Sequence, residues 1–244
     1  MWQCSPYIWR GKGMDKIYGA IVKMGYPVHV AEKFSTYAQM LLTENERTNL
    51  TRITEPADVV YNHFVDAVSP VDLGLIHDGD KIMDVGTGPG IPAIPLAIML
   101  PHSKITAIES VGKKVDFVDK VVDSLCVNVD VLNERAEKAA FFQNMRSSFD
   151  VVVSRAVASL PVLLELVGAF AKEGGLVVAY KGKGYREEAE QARNAAKMMG
   201  LRGPEIYDVK LGDGVVHYLL KYEKLYPTGK KFPRRYSVIK RTPL

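Results

Sequence analysis

Cysteine is nearly absent, with only Cys4 and Cys126 among 244 residues. Two thiols supply neither a four-ligand metal cluster nor a disulfide framework, so a reducing cytoplasm is the expected setting. Long apolar runs are also missing. The longest, Ile91 to Leu100, covers about half a membrane span and carries Pro92 and Pro95 inside it. No membrane association is expected. The opening Met1-Trp-Gln-Cys-Ser-Pro6 has no basic stretch followed by an apolar one, so no secretory signal is expected either. Glycine and proline, at 20 and 13 residues, are too few for a collagen-like or linker-like chain. What is there is 47% hydrophobic and 25% charged, which fits one globular domain with a substantial core.

The formal charge of +4 says little until it is located. From Lys221 to the end there are eight Lys or Arg residues and one acid, Glu223, a segment charge of +7. The remainder therefore carries −3. A mildly acidic body with a basic tail points to a polyanionic partner such as nucleic acid, against the plainer alternative of a solvated tail.

Residues 1–13 fit no periodic pattern and read as an extension, with Met14 as an alternative start. Helical spacing then predicts helices over Met14–Met24, Val28–Leu42 and Pro56–Val68, the last with Thr54 as N-cap. From Lys81 the rhythm changes to strands alternating with helices. Strands are expected at Lys81–Val85, Lys104–Glu109, Val127–Leu132, Asp150–Ser154 and Gly175–Tyr180. Helices are expected to Leu100 and over Lys113–Leu125, Leu160–Ala171 and Glu187–Met199. Two further strands, Ile206–Val209 and Val216–Tyr222, close the pattern with no helix between them. This is the signature of an α/β, doubly wound parallel sheet with an antiparallel edge and helices in front. The expected divisions are 1–13, a helical part 14–70, the sheet 71–223 and a basic tail 224–244.

The sharpest motif is Asp84-Val-Gly86-Thr-Gly88-Pro-Gly90-Ile-Pro92, placed between strand and helix. Its glycines allow positive φ and a close approach of backbone to ligand, at the strand end where open α/β sheets bind. Glu109 ends the next strand, placed to accept hydrogen bonds from a ribose diol. A dinucleotide fingerprint needs Gly-x-Gly-x-x-Gly, whereas here the third glycine comes one residue early. That form, with Asp84 in front to hold an amino group, favours S-adenosylmethionine over NAD. A glycine turn with no ligand is the third reading.

With Asn49-Leu-Thr51, His63 and Asp66, Gly112-Lys-Lys114, Arg135-Ala-Glu137, Ser154-Arg-Ala156, Lys181-Gly182 and Phe232-Pro-Arg234…Pro243-Leu244, this loop resembles the bacterial 16S ribosomal RNA guanine-N7 methyltransferase family, also called the glucose-inhibited division protein B family. The landmarks run in order over nearly the whole chain after Met14. The resemblance implies a Rossmann-like class I S-adenosylmethionine-dependent methyltransferase. It implies methyl transfer to N7 of a guanine in the decoding region of 16S rRNA, with that rRNA or a small-subunit precursor as partner and no oligomer required. It also implies that Asp84, Gly86, Gly88, Gly90, Ile91, Glu109, Ala136, Glu137 and Arg155 serve the cofactor. Two departures stand out: Asp66 is followed by Ala67 where the family has serine, and the tail reads Pro233-Arg-Arg-Tyr-Ser-Val-Ile239.

The absences agree with N7 chemistry. N7 carries an exposed lone pair and needs no base, and no Asn/Asp-Pro-Pro-Tyr motif of amino-group methylation follows the fourth strand, where Ser154-Arg-Ala-Val-Ala158 stands. Cys126, between Leu125 and Val127, is expected to be a buried structural thiol and no nucleophile. Arg155 is the candidate catalytic residue, pairing with a phosphate or the guanine O6 edge, or else closing an ion pair at the strand's end. His63 and Asp66 share a helical face, for RNA contact or for a plain helix-face bond. Asn49, expected also to orient the loop before them, Lys181 at the ligand edge and Arg234, placed to grip phosphate, complete with His63 and Asp66 the expected substrate-binding set. Removal of everything after Pro227 is then expected to weaken RNA binding and spare cofactor affinity. An adenosylmethionine enzyme of small molecules, a non-catalytic RNA-binding module and an NAD dehydrogenase are the competing readings.

Overall fold

A computed structural model describes residues 14–244. Trp2, Cys4, Trp9 and the reading of residues 1–13 as an extension lie outside the described residues.

Helix α1 (Met14–Lys23) buries Met14, Ile17 and Ile21, at helical spacing. Helix α2 (Val28–Thr48) runs past the expected end at Leu42. Its apolar stripe stops there, but Glu44, Glu46 and Arg47 are good helix formers and carry it on along the surface. Asn49 ends it in the left-handed conformation, φ 51°, with its N–H on the Asn45 carbonyl.

The third expected helix is in three parts: α3 (Pro56–Asp58), a π-helical stretch (Val59–Val65) and α4 (Asp66–Asp72). Glu55 rather than Thr54 occupies the N-cap position, without a side-chain cap bond.

Seven strands form one sheet in the order β3-β2-β1-β4-β5-β7-β6. They are β1 (Lys81–Val85), β2 (Lys104–Glu109), β3 (Val129–Asn133), β4 (Phe149–Arg155), β5 (Ala171–Lys181), β6 (Leu201–Lys210) and β7 (Val216–Lys224). The first five are parallel, and β7 runs antiparallel to both β5 and β6. Val127 and Asn128 belong to the turn before β3, not to the strand.

The crossovers are α5 (Ala93–Met99), α6 (Gly112–Leu125), the unexpected single turn α7 (Ala136–Ala139), α8 (Leu160–Val167), α9 (Tyr185–Gln191) and α10 (Arg193–Met198). Cys126 caps α6 in the left-handed conformation, and its side chain is exposed, which corrects the buried-thiol expectation. A last helix, α11 (Tyr236–Arg241), lies in the tail that composition alone left irregular.

The sheet has a core on each face. One face shares its core with the helices before residue 70, from Ile17 through Phe34 and Phe64 to Ile82 and Val153. The other packs α8, α10 and the tail residues Phe232 and Ile239 against Val152 and Val177. Two buried hydroxyls tie the front helices to the sheet. Tyr37 donates to the Pro89 carbonyl at 2.8 Å, and Tyr180 to the Ala67 carbonyl at 2.7 Å. Among the described residues no helix is long and apolar enough to cross a membrane.

Candidate functional site

The glycine loop leaves β1 and is pinned at once to the neighbouring strand, with the N–H groups of Gly86 and Thr87 both on the Ile108 carbonyl. Gly86, Gly88 and Gly90 take φ of 76°, 61° and 100°, the region where a side chain is strained. A Cβ on Gly88 would meet nothing within 4 Å, whereas one on Gly86 would stand 2.4 Å from Val157 Cγ2. Backbone therefore faces open space at Gly88, and the β4 loop closes on Gly86. Glu109 braces the turn from below: its Oε2 accepts from Gly88 N at 3.1 Å and its Oε1 from Val111 N at 2.9 Å. Lys114 Nζ stands 4.0 Å from the same carboxylate.

These parts open onto a cavity of about 420 Å³ at the carboxyl ends of the parallel strands. That is within the range of small-molecule sites. Its wall includes Gly86, Gly88, Ile91, Glu109, Ala136, Glu137, Arg155 and His63, which the sequence had singled out. Asp84 and Gly90 are not on the wall. Asp84 sits behind the loop, fully buried, with Oδ2 accepting from Ala93 N at 3.1 Å. Burial raises its carboxyl to a pKa of about 7. It organises the loop from behind the wall. The glycine backbone open to the cavity and the Glu109 carboxylate at its edge fit the amino acid and ribose ends of S-adenosylmethionine.

Arg155 ends β4 at the cavity wall with a side chain 16% exposed. Its Nε lies 3.3 Å from Asp66 Oδ2, while its buried Nη1 has no hydrogen-bond partner. The next residue, Ala156, takes φ 56°, a costly conformation for alanine that turns the chain sharply after the arginine. Asp66 is off the wall and buried; its Oδ1 lies 3.1 Å from His217 Nδ1 of β7. His63 reaches the cavity, with Nε2 2.9 Å from Thr51 Oγ1. Burial, followed by the nearby Arg155 cation, lowers its pKa to about 4, so it is neutral at physiological pH.

Three expected substrate residues are occupied elsewhere. Asn49 is the helix cap already described. Lys181, 9% exposed, gives its ammonium to the Ala158 carbonyl and to Glu188 Oε2, which also accepts from Leu160 N. It ties down the loop that follows Arg155. Arg234 is bound in a fork to Glu165, a fully buried carboxylate on α8, through Nε at 2.8 Å and Nη2 at 2.6 Å. It fastens the tail rather than offering a guanidinium to phosphate.

Some wall residues escaped the sequence. Tyr236 of the tail helix lines the cavity, with the Arg135 guanidinium 5.9 Å from its ring centre. Leu50 and Val157 also contribute. Two aromatics within a run of basic residues, Phe232 and Tyr236, were the available signal, masked there by the charge.

Comparison with known proteins agrees with this geometry. The family model described as rRNA small subunit methyltransferase G matches residues 30–212. A ribosomal RNA small subunit methyltransferase G from Thermoanaerobacter sp. (strain X514) is 38% identical over 231 residues, covering 94% of this chain and 95% of that relative. The Lactobacillus johnsonii protein of the same name is 34% identical, covering 92% and 96%.

Solved structures share the fold at low identity. An S-adenosylmethionine-dependent methyltransferase from Aquifex aeolicus gives a TM-score of 0.54 at 18% identity, covering 70% of this chain and 94% of that one. Aeropyrum pernix fibrillarin with natively bound S-adenosyl-L-methionine gives 0.52 at 16%, covering 65% and 76%. The match over three quarters of the sequence and the near full-length relatives lead to one conclusion: the chain belongs to the rRNA small subunit methyltransferase G family.

Proposed function

We propose that this protein transfers a methyl group from S-adenosylmethionine to N7 of a guanine in the decoding region of 16S rRNA, in the cytoplasm and without need of an oligomer. The observation that carries the reading is Arg155. It is fixed by Asp66 beside the glycine loop, and its side chain, 16% exposed, forms part of the wall of the cofactor cavity.

S-adenosylmethionine supplies an electrophilic sulfonium methyl. Gly86, Gly88 and Ile91 would hold it through the loop, Glu109 would accept from the ribose hydroxyls, and Ala136 and Glu137 would lie at the adenine. Guanine N7 attacks through its own lone pair, so the protein has no proton to remove. Its contribution is alignment of the attacking nitrogen and exclusion of water. Arg155 donates to O6, next to the attacking N7, or to the phosphate of the same nucleotide, and holds the purine edge toward the methyl. His63, neutral and held by Thr51, shapes the wall and places no positive charge beside the sulfonium.

Modified-nucleoside mapping of 16S rRNA from a strain lacking the gene tests this directly. The expected result is loss of one N7-methylguanosine, restored by the wild-type gene and not by Arg155→Ala. Persistence of the modification without the gene would sink the assignment.

A further inference from the structure

Guanine N7 lies on the major-groove edge of the base. In an A-form helix that groove is too deep and narrow for side chains, so an enzyme reaching N7 needs the nucleotide unstacked. Unstacking exposes the faces of neighbouring bases, and proteins that hold single strands cover them with aromatic rings set among cations.

Such a surface begins one helical turn beyond the cavity wall. Arg135, Ala136 and Glu137 line the cavity. The chain then continues through α7 into a turn closed by Phe141 N on the Lys138 carbonyl and Phe142 N on the Ala139 carbonyl. That turn presents two phenyl rings to solvent, Phe141 at 53% and Phe142 at 40% exposure. These rings are large apolar faces that the fold does not use. Behind them the Arg146 guanidinium lies 5.7 Å from the Phe141 ring centre and donates to the carbonyls of Thr228, Gly229 and Phe232. The basic tail is thereby brought alongside, with Lys230, Lys231 and Arg235 exposed.

Two exposed phenylalanines alone would fit a protein partner as well as a base. The charge around them decides: with Lys138 and Glu134 paired to each other, Arg135, Lys230, Lys231 and Arg235 stand against Glu137 alone among the flanking residues 134–138 and the docked stretch 228–235. A polyanion with exposed ring faces is the complementary partner.

We propose that the turn after α7, carrying Phe141 and Phe142 beside the docked tail, is a stacking platform for single-stranded RNA next to the target nucleotide. This rests on the methylation reading for its substrate class, but not for its geometry. The platform holds bases by their faces and the backbone by the tail's cations, so it is tolerant of sequence and selective for unpaired strands.

Fluorescence anisotropy with the full chain and a labelled single-stranded RNA of roughly ten nucleotides tests it, with the same sequence as a duplex for comparison. Phe141→Ala/Phe142→Ala is expected to weaken single-strand binding about tenfold or more, with duplex binding and S-adenosylmethionine affinity unchanged. Phe141→Tyr/Phe142→Tyr should bind as wild type. Unchanged single-strand affinity in the alanine protein overturns the proposal, as does an equal loss on single strand and duplex. Should the double variant fail to fold, photocrosslinking of wild type to thiouridine-bearing RNA replaces it. Crosslinks on the 135–146 peptide support the platform, and their absence overturns it. Loss of methylation on ribosomal particles with naked-RNA affinity intact would place a protein on this surface and also overturn the proposal. A protein that binds RNA through these rings but leaves N7 unmethylated retires the methylation reading alone.

Discussion

Arg234 carries the prediction that separates electrostatics of folding from electrostatics of RNA binding. Glu165 is wholly buried on α8, a helix whose residues from Leu160 to Val167 are all buried. Its carboxylate receives the Arg234 backbone N–H, Nε and Nη2, and Arg234 also reaches the Thr242 carbonyl. The fork of hydrogen bonds to Glu165, with the charge attraction, raises the arginine pKa further. Arg234→Ala strips the carboxylate of both side-chain donors and leaves a buried charge. Breaking a buried pair in this way costs about 3–5 kcal/mol. For a chain of this size that lowers Tm by roughly 6–20 °C. Arg234→Lys keeps the charge but loses the fork, so its loss should be intermediate. The paired replacement Glu165→Leu/Arg234→Met removes charge and counter-charge together and should recover most of the stability. Urea unfolding of the four proteins checks the series. If Arg234→Ala unfolds within about 0.5 kcal/mol of wild type while KM for RNA rises, the anchoring argument is wrong and the arginine is a phosphate ligand after all.

Gly86→Ala adds a Cβ at φ 76° and 2.4 Å from Val157 Cγ2. About 1–2 kcal/mol of backbone strain follows, together with displacement of the loop that carries Arg155. Calorimetry should show S-adenosylmethionine affinity reduced on the order of tenfold or more, partly restored by Val157→Ala; equal affinity in all three proteins would contradict it. For His63 the folded pKa of about 4 lies below the ordinary histidine value of 6.5. The unfolded chain therefore binds the extra proton between these values, and wild type loses up to about 3 kcal/mol as pH falls through that window. Asp84, whose raised pKa has the opposite sign, is present in both proteins and cancels from the comparison with His63→Gln. Unfolding free energies at pH 7 and 4.5 should thus shift in favour of the variant at the lower pH; parallel values would refute the burial argument. Truncation after Pro227 removes Thr228, Arg234 and Tyr236, so it should reduce stability and cofactor affinity as well as RNA binding. Calorimetry that finds cofactor affinity unchanged would return the tail to the purely electrostatic role its composition suggested.

The elements legible in the sequence were those whose signal is local. The Gly86–Gly90 loop, Glu109 and β1, β2 and β4 follow from strand propensity and glycine spacing, and the structure brings them to one strand edge. The π-helical stretch at Val59–Val65 was illegible because its apolar pattern is the same as an ordinary helix's. The partners of Lys181 and Arg234 were illegible for another reason. Glu188 lies seven residues from Lys181, and Glu165 sixty-nine from Arg234, across a fold that only tertiary packing defines. Periodicity says which face a residue occupies, not which carboxylate waits opposite it.

The tail shows how far a charge count carries. Of the eight bases from Lys221 onward, Lys224 is buried, with its ammonium on the Gly168 and Met199 carbonyls and Thr228, and desolvation lowers its pKa to about 8. Arg234 is committed to Glu165, and Lys221 to Glu205 at 2.9 Å. The remaining five are exposed. Folding therefore removes the bases nearest the core from any external partner and uses them to hold the rest in place. Lys224 binds the Thr228 hydroxyl and Arg146 the Thr228 carbonyl, and Arg234 docks the stretch leading into α11. The same segment that carries these exposed cations supplies Tyr236 to the cavity wall. Presentation of the cations and closure of the cavity are in this way linked, because the exposed bases and Tyr236 depend alike on the buried contacts that dock the segment.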